Sequence, residues 1–187
     1  MKLRSHILLV CLAVLLPLLT SHAEPPQGAP DPSAKKPLVQ GDFAHQQVGQ
    51  PPKGWTPAYP TGGATIATDG KETFLRLSNA QPANAGVAQE IDVPPKAKTV
   101  TVLGRMRGRP ENEKVDKRAA VEVALRYKDA NGANINAAVV ASSNSPNWHT
   151  FHREFALPPG CTKIEVVPRS IFAVGNFDFS EVRAEFK

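Results

Sequence analysis

Two stretches carry the clearest alternation of apolar and polar positions in the chain. In Thr99–Arg107 (TVTVLGRMR), Val100, Val102, Gly104 and Met106 fall on one side, and Thr99, Thr101, Leu103, Arg105 and Arg107 on the other. In Ala120–Lys128 (AVEVALRYK), Val121, Val123, Leu125 and Tyr127 oppose Ala120, Glu122, Ala124 and Arg126. A period of two with one apolar side predicts half-buried antiparallel strands. The two are read as a central pair, joined by the solvated mixed-charge run Arg109–Arg118 (RPENEKVDKR).

Shorter segments of the same kind lie on either side. Leu38–Phe43 (LVQGDF) reads as a first strand, and Pro51-Pro52-Lys53-Gly54 as a turn that delivers Trp55 to the core. Ala64–Ala67 and Thr73–Ser78 (TFLRLS) flank Asp69-Gly70, a strong turn dipeptide, and are expected to form a hairpin. Ala85–Val93 stops at Pro94-Pro95, which cannot continue a ladder. After the turn Asp129-Ala130-Asn131-Gly132 come Ile135–Ala141, then Trp148–Leu157 (WHTFHREFAL), Lys163–Pro168 and Asn176–Phe186. About nine short strands with turn signals between them and no helical periodicity predict an all-β chain, an antiparallel β-sandwich or barrel.

The first residues are of another kind. Lys2 and Arg4 precede the apolar run Ile7–Leu19, and Ser21-His22-Ala23 ends in small residues. That is the pattern of a secretory signal peptide (1–23) cleaved after Ala23, too short and wrongly flanked to be a membrane anchor. A lipoprotein reading would use Cys11, but Val10 stands where a small residue is needed. Residues 24–37 (EPPQGAPDPSAKKP) form a Pro-rich linker, and the folded domain is expected over 38–187. The expected address is therefore secreted or periplasmic. No later segment approaches the ~20 apolar residues that span a bilayer. Cleavage lowers the formal charge from +5 to +3, with 20 Lys and Arg against 17 Asp and Glu. So modest an excess, together with export, argues against a nucleic-acid partner. Cleavage also removes Cys11 and leaves Cys161 without an intramolecular disulfide partner.

The order of landmarks resembles a known family. Gly41-Asp42-Phe43, Pro52-Lys53-Gly54-Trp55, the Leu75-Arg76-Leu77 hairpin, Gly86-x-x-Gln89 with its Pro-Pro exit, Trp148-x-x-Phe151 closing in Leu157-Pro158-Pro159-Gly160, and Phe177-Asp178-Phe179-x-x-Val182 are similar to the galactose-binding-like jelly roll. Among such domains the similarity is to non-catalytic carbohydrate-binding modules, and it covers about residues 38–187. The resemblance implies a jelly-roll sandwich. It also implies a structural calcium held near the first and last strands, where Asp42 and Asp178 are the matching carboxylates.

Three residue sets are candidates for chemistry. Arg105, Arg107, Glu122 and Arg126 lie on the polar side of the central pair, and Thr150, His152 and Glu154 add to it from the strand 148–157. Arginine is a bidentate donor, so such a face would suit an acidic or sulfated polysaccharide; the plainer reading is a solvated face of Arg–Glu pairs. Trp55 and Trp148 are expected as core anchors, although Trp148 shares the parity of Thr150 and His152 and would be a stacking ring if no bulge intervenes. Tyr127 shares the parity of the core, leaving Tyr59 as the free stacking residue. An enzyme would draw on Glu122, Glu154 or His152, with two carboxyls ~5–9.5 Å apart across a cleft. His149-x-x-His152 is a poor metal pair, since an offset of three on a strand points the rings to opposite faces. The reading is an exported, non-catalytic carbohydrate-binding domain. A cell-envelope structural or protein-interaction domain is the first alternative, and a small glycan-acting hydrolase or lyase the second.

Overall fold

The structure is a computed structural model that describes residues 41–187. The signal-peptide and linker segments and Leu38–Gln40 lie outside the described residues; of the expected first strand, Gly41 makes an isolated bridge to Val182. Eight strands follow: β1 (Thr56–Pro57), β2 (Gly63–Thr68), β3 (Thr73–Asp92), β4 (Thr99–Gly108), β5 (Ala120–Lys128), β6 (Asn134–Ser143), β7 (Ser145–Ala156) and β8 (Lys163–Phe186). Every strand pairing is antiparallel, and the described residues contain no helix.

The strand count is lower than expected because two expected pairs of strands are each continuous. β3 runs for 20 residues and β8 for 24, and both change direction midway. Their pairing shifts register between Asn79 and Ala85. Before that bend β3 pairs with β2 and with residues 175–179 of β8, and β8 passes on to β4 and β7. After it, β3 pairs with β1 and with residues 163–173 of β8, and β8 passes on to β5 and β6. The result is two five-membered layers that share their two long strands: layer one (β2, β3, β8, β4, β7) and layer two (β1, β3, β8, β5, β6).

Polar side chains hold the bend. Asn79 Nδ2 donates to Ala83 O, Ser170 Oγ and Ala173 O, at 3.0–3.1 Å. Asn84 Oδ1 accepts the N–H of Phe172, whose φ of 44° is in the left-handed region that non-glycine residues rarely adopt. These bonds satisfy backbone groups that lose their ladder partners where the strands turn.

Between the layers sits the core. Val100, Val102 and Met106 of β4 and Phe177, Phe179 and Val182 of β8 meet Val121, Val123 and Leu125 of β5 and Ile164 and Val166 of β8, all fully buried. Trp55 and Tyr127 belong to the same cluster. The gap at Gly104 in the β4 stripe is filled from outside that strand. A Cβ there would lie 2.7 Å from the Phe151 ring and 3.0 Å from Val182 Cα.

One expectation is corrected. β4 and β5 are not neighbours: β4 pairs with β7 and β8, β5 with β6 and β8, so the two belong to opposite layers. Residues 109–119 cross the end of the sandwich instead of turning a hairpin, being far longer than the ~2–5 residues of a hairpin loop. Asn112 ties the crossing to the β8 bend, with Nδ2 donating to Phe172 O at 2.8 Å and Oδ1 accepting from Val174 N at 3.0 Å.

Candidate functional site

Alternation puts Phe74 and Arg76 of β3, Asp178 and Ser180 of β8, and Arg105 and Arg107 of β4 on the outer side of layer one. Arg76 and Arg107 are both register partners of Asp178 and converge on its carboxylate. Arg76 donates from Nε to Oδ1 at 2.7 Å and from Nη2 to Oδ2 at 2.9 Å, and Arg107 Nε donates to Oδ2 at 2.8 Å. The Asp178 side chain is 5 % exposed. The hydrogen bond to Asp178 raises the Arg76 pKa above its ordinary value, outweighing burial.

The β2–β3 turn folds over the same side. Arg105 donates to both oxygens of Glu72, at 2.8 and 3.3 Å, and Arg107 Nη1 stands 3.5 Å from Asp69. Backbone N–H groups of Glu72 and Lys71, and behind them the Arg107 charge, hold the Asp69 carboxyl below the usual range.

Trp148 lies in this ensemble, half-buried and outside the core cluster. Arg105 and Arg107 stack on its ring with Cζ at 4.9 and 4.5 Å from the centroid. Phe74 meets it edge-on, with centroids 5.6 Å apart at 75°. The expectation of Trp148 as a core anchor is thus corrected: its ring lies with Arg105, Arg107 and Phe74 on the outer side, next to the ladder that β7 keeps with β4 from Ala156 to His149. Phe74 has 0 % exposure although it points away from the core, since Trp148, Arg76 and Arg107 cover it. Cation–π contacts of this kind contribute about 0.5–2 kcal/mol each, more as water is excluded. The Trp148 Nε1–H is buried with no acceptor among the described residues.

The other expected binding residues are divided between two sides of the molecule. Glu122, Arg126 and Tyr59 sit on the outer side of layer two. There Glu122 Oε2 accepts from Arg169 at 2.7 and 3.0 Å, and Arg169 also reaches the Tyr59 hydroxyl at 3.4 Å. Arg126 pairs with Glu165 at 2.8 Å, and Lys128 bridges Glu165 and Glu90 at 3.0 and 2.9 Å. Small side chains, Ala88, Ala124 and Val167, fill the space beneath. His152 is exposed on β7 opposite Leu103, and Glu154 accepts from Lys187 at 2.8 Å. Layer one's outer side therefore carries Arg105, Arg107, Trp148 and His152; layer two's carries Tyr59, Glu122 and Arg126. The same division separates Glu122 from Glu154, so these two carboxyls do not face each other across a cleft.

Asp42 and Asp178 do not fit a calcium ion. Calcium takes ~6–8 oxygen ligands. Asp178 has both oxygens engaged by guanidinium groups that would repel a cation, and Asp42 Oδ1 accepts the Ala44 N–H at 3.0 Å. Among the described residues no three His, Cys, Asp or Glu side chains gather. His149 and His152 face Met106 and Leu103, on opposite sides of β7.

Sequence reasoning missed Arg76, Phe74, Glu72 and Arg169. The alternation of Thr73–Ser78 already places Phe74 and Arg76 opposite Leu75 and Leu77; what sequence lacks is the neighbour 102 residues away that gives Arg76 its partner. No comparable signal exists for Glu72 in a turn.

No family model and no curated protein matches the sequence. Solved structures do. The enzymatically active domain of bacteriophage CBA120 tailspike protein 4 aligns with a TM-score of 0.61 at 15 % identity over 81 % of this chain, which spans only 21 % of that one. The CBM22-1 xylan-binding domain of Paenibacillus barcinonensis Xyn10C gives 0.55 at 15 % identity, over 81 % of this chain and 94 % of that one. A family 16 carbohydrate-binding module gives 0.56 at 16 % identity, over 80 % and 99 %. At such identities the likeness is one of fold, and that fold is the β-sandwich jelly roll in which these carbohydrate-binding modules are built.

Proposed function

We propose that the chain is an exported, non-catalytic carbohydrate-binding domain that holds its glycan against the outer side of layer one. The observation that carries this reading is the partly exposed Trp148 ring in contact with Arg105 and Arg107, each fixed by a carboxylate. An aromatic face supplies apolar contact to a sugar ring. Oriented guanidinium and carboxylate groups beside it supply hydrogen bonds to hydroxyls without loss of side-chain freedom on binding. The near-complete coverage of binding modules by this chain supports the reading, and the Lys2–Ala23 segment supports export.

The pairing bears on the type of glycan. Arg76, Arg105 and Arg107 each have a carboxylate partner, so a polyanion would have to displace Glu72 or Asp178 to engage them. A polyhydroxyl ligand uses the donors and acceptors as they stand. We therefore favour a neutral polysaccharide over the acidic or sulfated one that the arginines alone invite. Affinity gel electrophoresis tests this, with neutral and charged polysaccharides cast separately. Retardation in a neutral gel that is lost in Trp148→Ala is expected. Retardation only by polyanions overturns the neutral preference, retardation by none overturns the carbohydrate reading, and release of reducing ends overturns the non-catalytic one.

One observation favours a second reading, a protein-interaction domain of the cell envelope. β6 (NINAAVVASS) carries no charge over its ten residues, pairs with β5 alone among the described strands, and leaves Ile135 and Val139 41 % and 42 % exposed. Such edges accept strands from partners. Failure to bind any glycan, with co-purification of an envelope protein that Val139→Lys abolishes, would favour it.

A further inference from the structure

The outer side of layer one does not end at Arg107. Three adjoining depressions continue from it around the end of the sandwich, and Glu111 lines all three. The first shares Arg76, Arg107 and Asp178 with the face already described, and Asn176 extends into the second.

Glu111 is held in place by its backbone. Its N–H donates to Val174 O at 3.0 Å, and the next residue, Asn112, makes the two bonds to Phe172 and Val174 that fasten the crossing segment to β8. Its side chain lies along Gly175, where a Cβ would come within 3.3 Å of Oε1 and where φ is 126°. A side chain at 175 would crowd the carboxylate in a backbone conformation that already favours glycine.

Charge pairing sets Glu111 apart. Glu113 and Asp178, which line the same depressions, and Asp69 and Glu72 of the neighbouring turn are all ion-paired with arginines. No hydrogen bond or ion pair engages the Glu111 carboxylate among the described residues, although Arg76, Arg107 and Arg109 line the same depression. Nearby, Asn176 Oδ1 accepts from Ser78 at 2.7 Å, and its Nδ2 donors have no protein acceptor among the described residues. A positioned carboxylate with open acceptor sites beside an amide with open donors is complementary to neighbouring hydroxyls.

We infer that the glycan surface runs off the Trp148 face into this depression, where Glu111 and Asn176 read the hydroxyls of one neutral sugar unit. This rests on the carbohydrate-binding reading and deepens it: Trp148 supplies contact, and Glu111 supplies selection. An unpaired carboxylate accepts two hydroxyls of a vicinal diol and repels a carboxylate or sulfate on the same unit.

The test uses the full purified chain, Glu111→Gln and Trp148→Ala in gels containing xylan, mannan, β-galactan, β-glucan or polygalacturonate. Glu111→Gln should weaken retardation by the preferred neutral polymer about tenfold, the effect of one charge-assisted hydrogen bond. It should also raise the affinity for polygalacturonate relative to that polymer, a change of selectivity that a structural role would not produce. Its thermal midpoint should match the wild type, because no hydrogen bond or ion pair among the described residues engages the carboxylate. If Glu111→Gln binds every polymer as the wild type does while Trp148→Ala loses retardation, this inference fails and the carbohydrate-binding reading stands. A wild type that no polymer retards sinks both.

Discussion

The two outer sides of the sandwich are built from the same charged residue types and differ in what lies beneath them. On layer two, Arg126, Lys128, Arg169, Glu90, Glu122 and Glu165 neutralise one another above Ala88, Ala124 and Val167. On layer one, Arg76, Arg105 and Arg107 are also paired, but they lie over Phe74 and Trp148. Small alkyl groups give an ion-pair network no surface to present. Aromatic rings give the guanidinium groups a surface to lie over, and Trp148 stays partly exposed. An arginine-rich sheet face is therefore a binding candidate by virtue of its neighbours, not its charge.

Removing the shared carboxylate should separate the two sides most strongly. Asp178→Ala removes a nearly buried carboxylate shared by two arginines, leaving Arg76 without its partner and Arg107 with Asp69 alone, and is expected to cost about 3 kcal/mol in denaturant unfolding. The layer-two counterpart, Glu165→Ala, removes a more exposed carboxylate, 14 % against 5 %, and leaves Lys128 paired with Glu90, so it should cost about half as much. Equal losses would erase the distinction. Phe74→Ala should come next, at about 3 kcal/mol or more for a fully buried ring, against about 1.5–2 kcal/mol for Val167→Ala on layer two.

Binding sharpens the same contrast. Trp148→Ala should weaken retardation by a neutral polysaccharide at least tenfold, whereas Tyr59→Ala on layer two should stay within about twofold. A larger effect from Tyr59 would move the site to the other side.

The smallest effect is on pH dependence. Hydrogen bonds from Lys163 and then Lys128 hold the Glu90 carboxyl below its ordinary value of 4.5. A carboxyl with a depressed folded pKa stabilises the protein above its unfolded value and loses that contribution as pH falls through the folded one. Thermal midpoints should therefore show a small acid-side decline starting near pH 4.5 that Glu90→Gln flattens. The group is exposed and screened, so the change should be slight, and a profile unaltered by Glu90→Gln would remove that contribution.

Much of the layering was legible in the chain. Val100, Val102, Met106, Val121, Val123 and Leu125 were expected inside by parity and are fully buried, and Arg105, Arg107 and Arg126 were expected outside. The pairing of β4 with β5 was not legible, because a period of two states which side a residue faces and not which strand lies beside it. Nor were the bends in β3 and β8, where apparent breaks near Pro82 and Phe172 are corners held by Asn79 and Asn84. Trp148 had the right parity for the outer side; its place between Arg105 and Arg107 depends on register partners beyond its own strand.

The sequence by itself determined that the chain is all-β, which residues of each strand are apolar, and where most turns fall, since these depend on local backbone preferences and period. Tertiary structure alone decided that Arg105 and Arg126 face opposite ways, that Asp178 serves two arginines, and that Phe74 is covered by them. Those outcomes follow from strands meeting across separations of 71 and 102 residues, where the geometry of the long bent strands, not any local preference, chooses the neighbour.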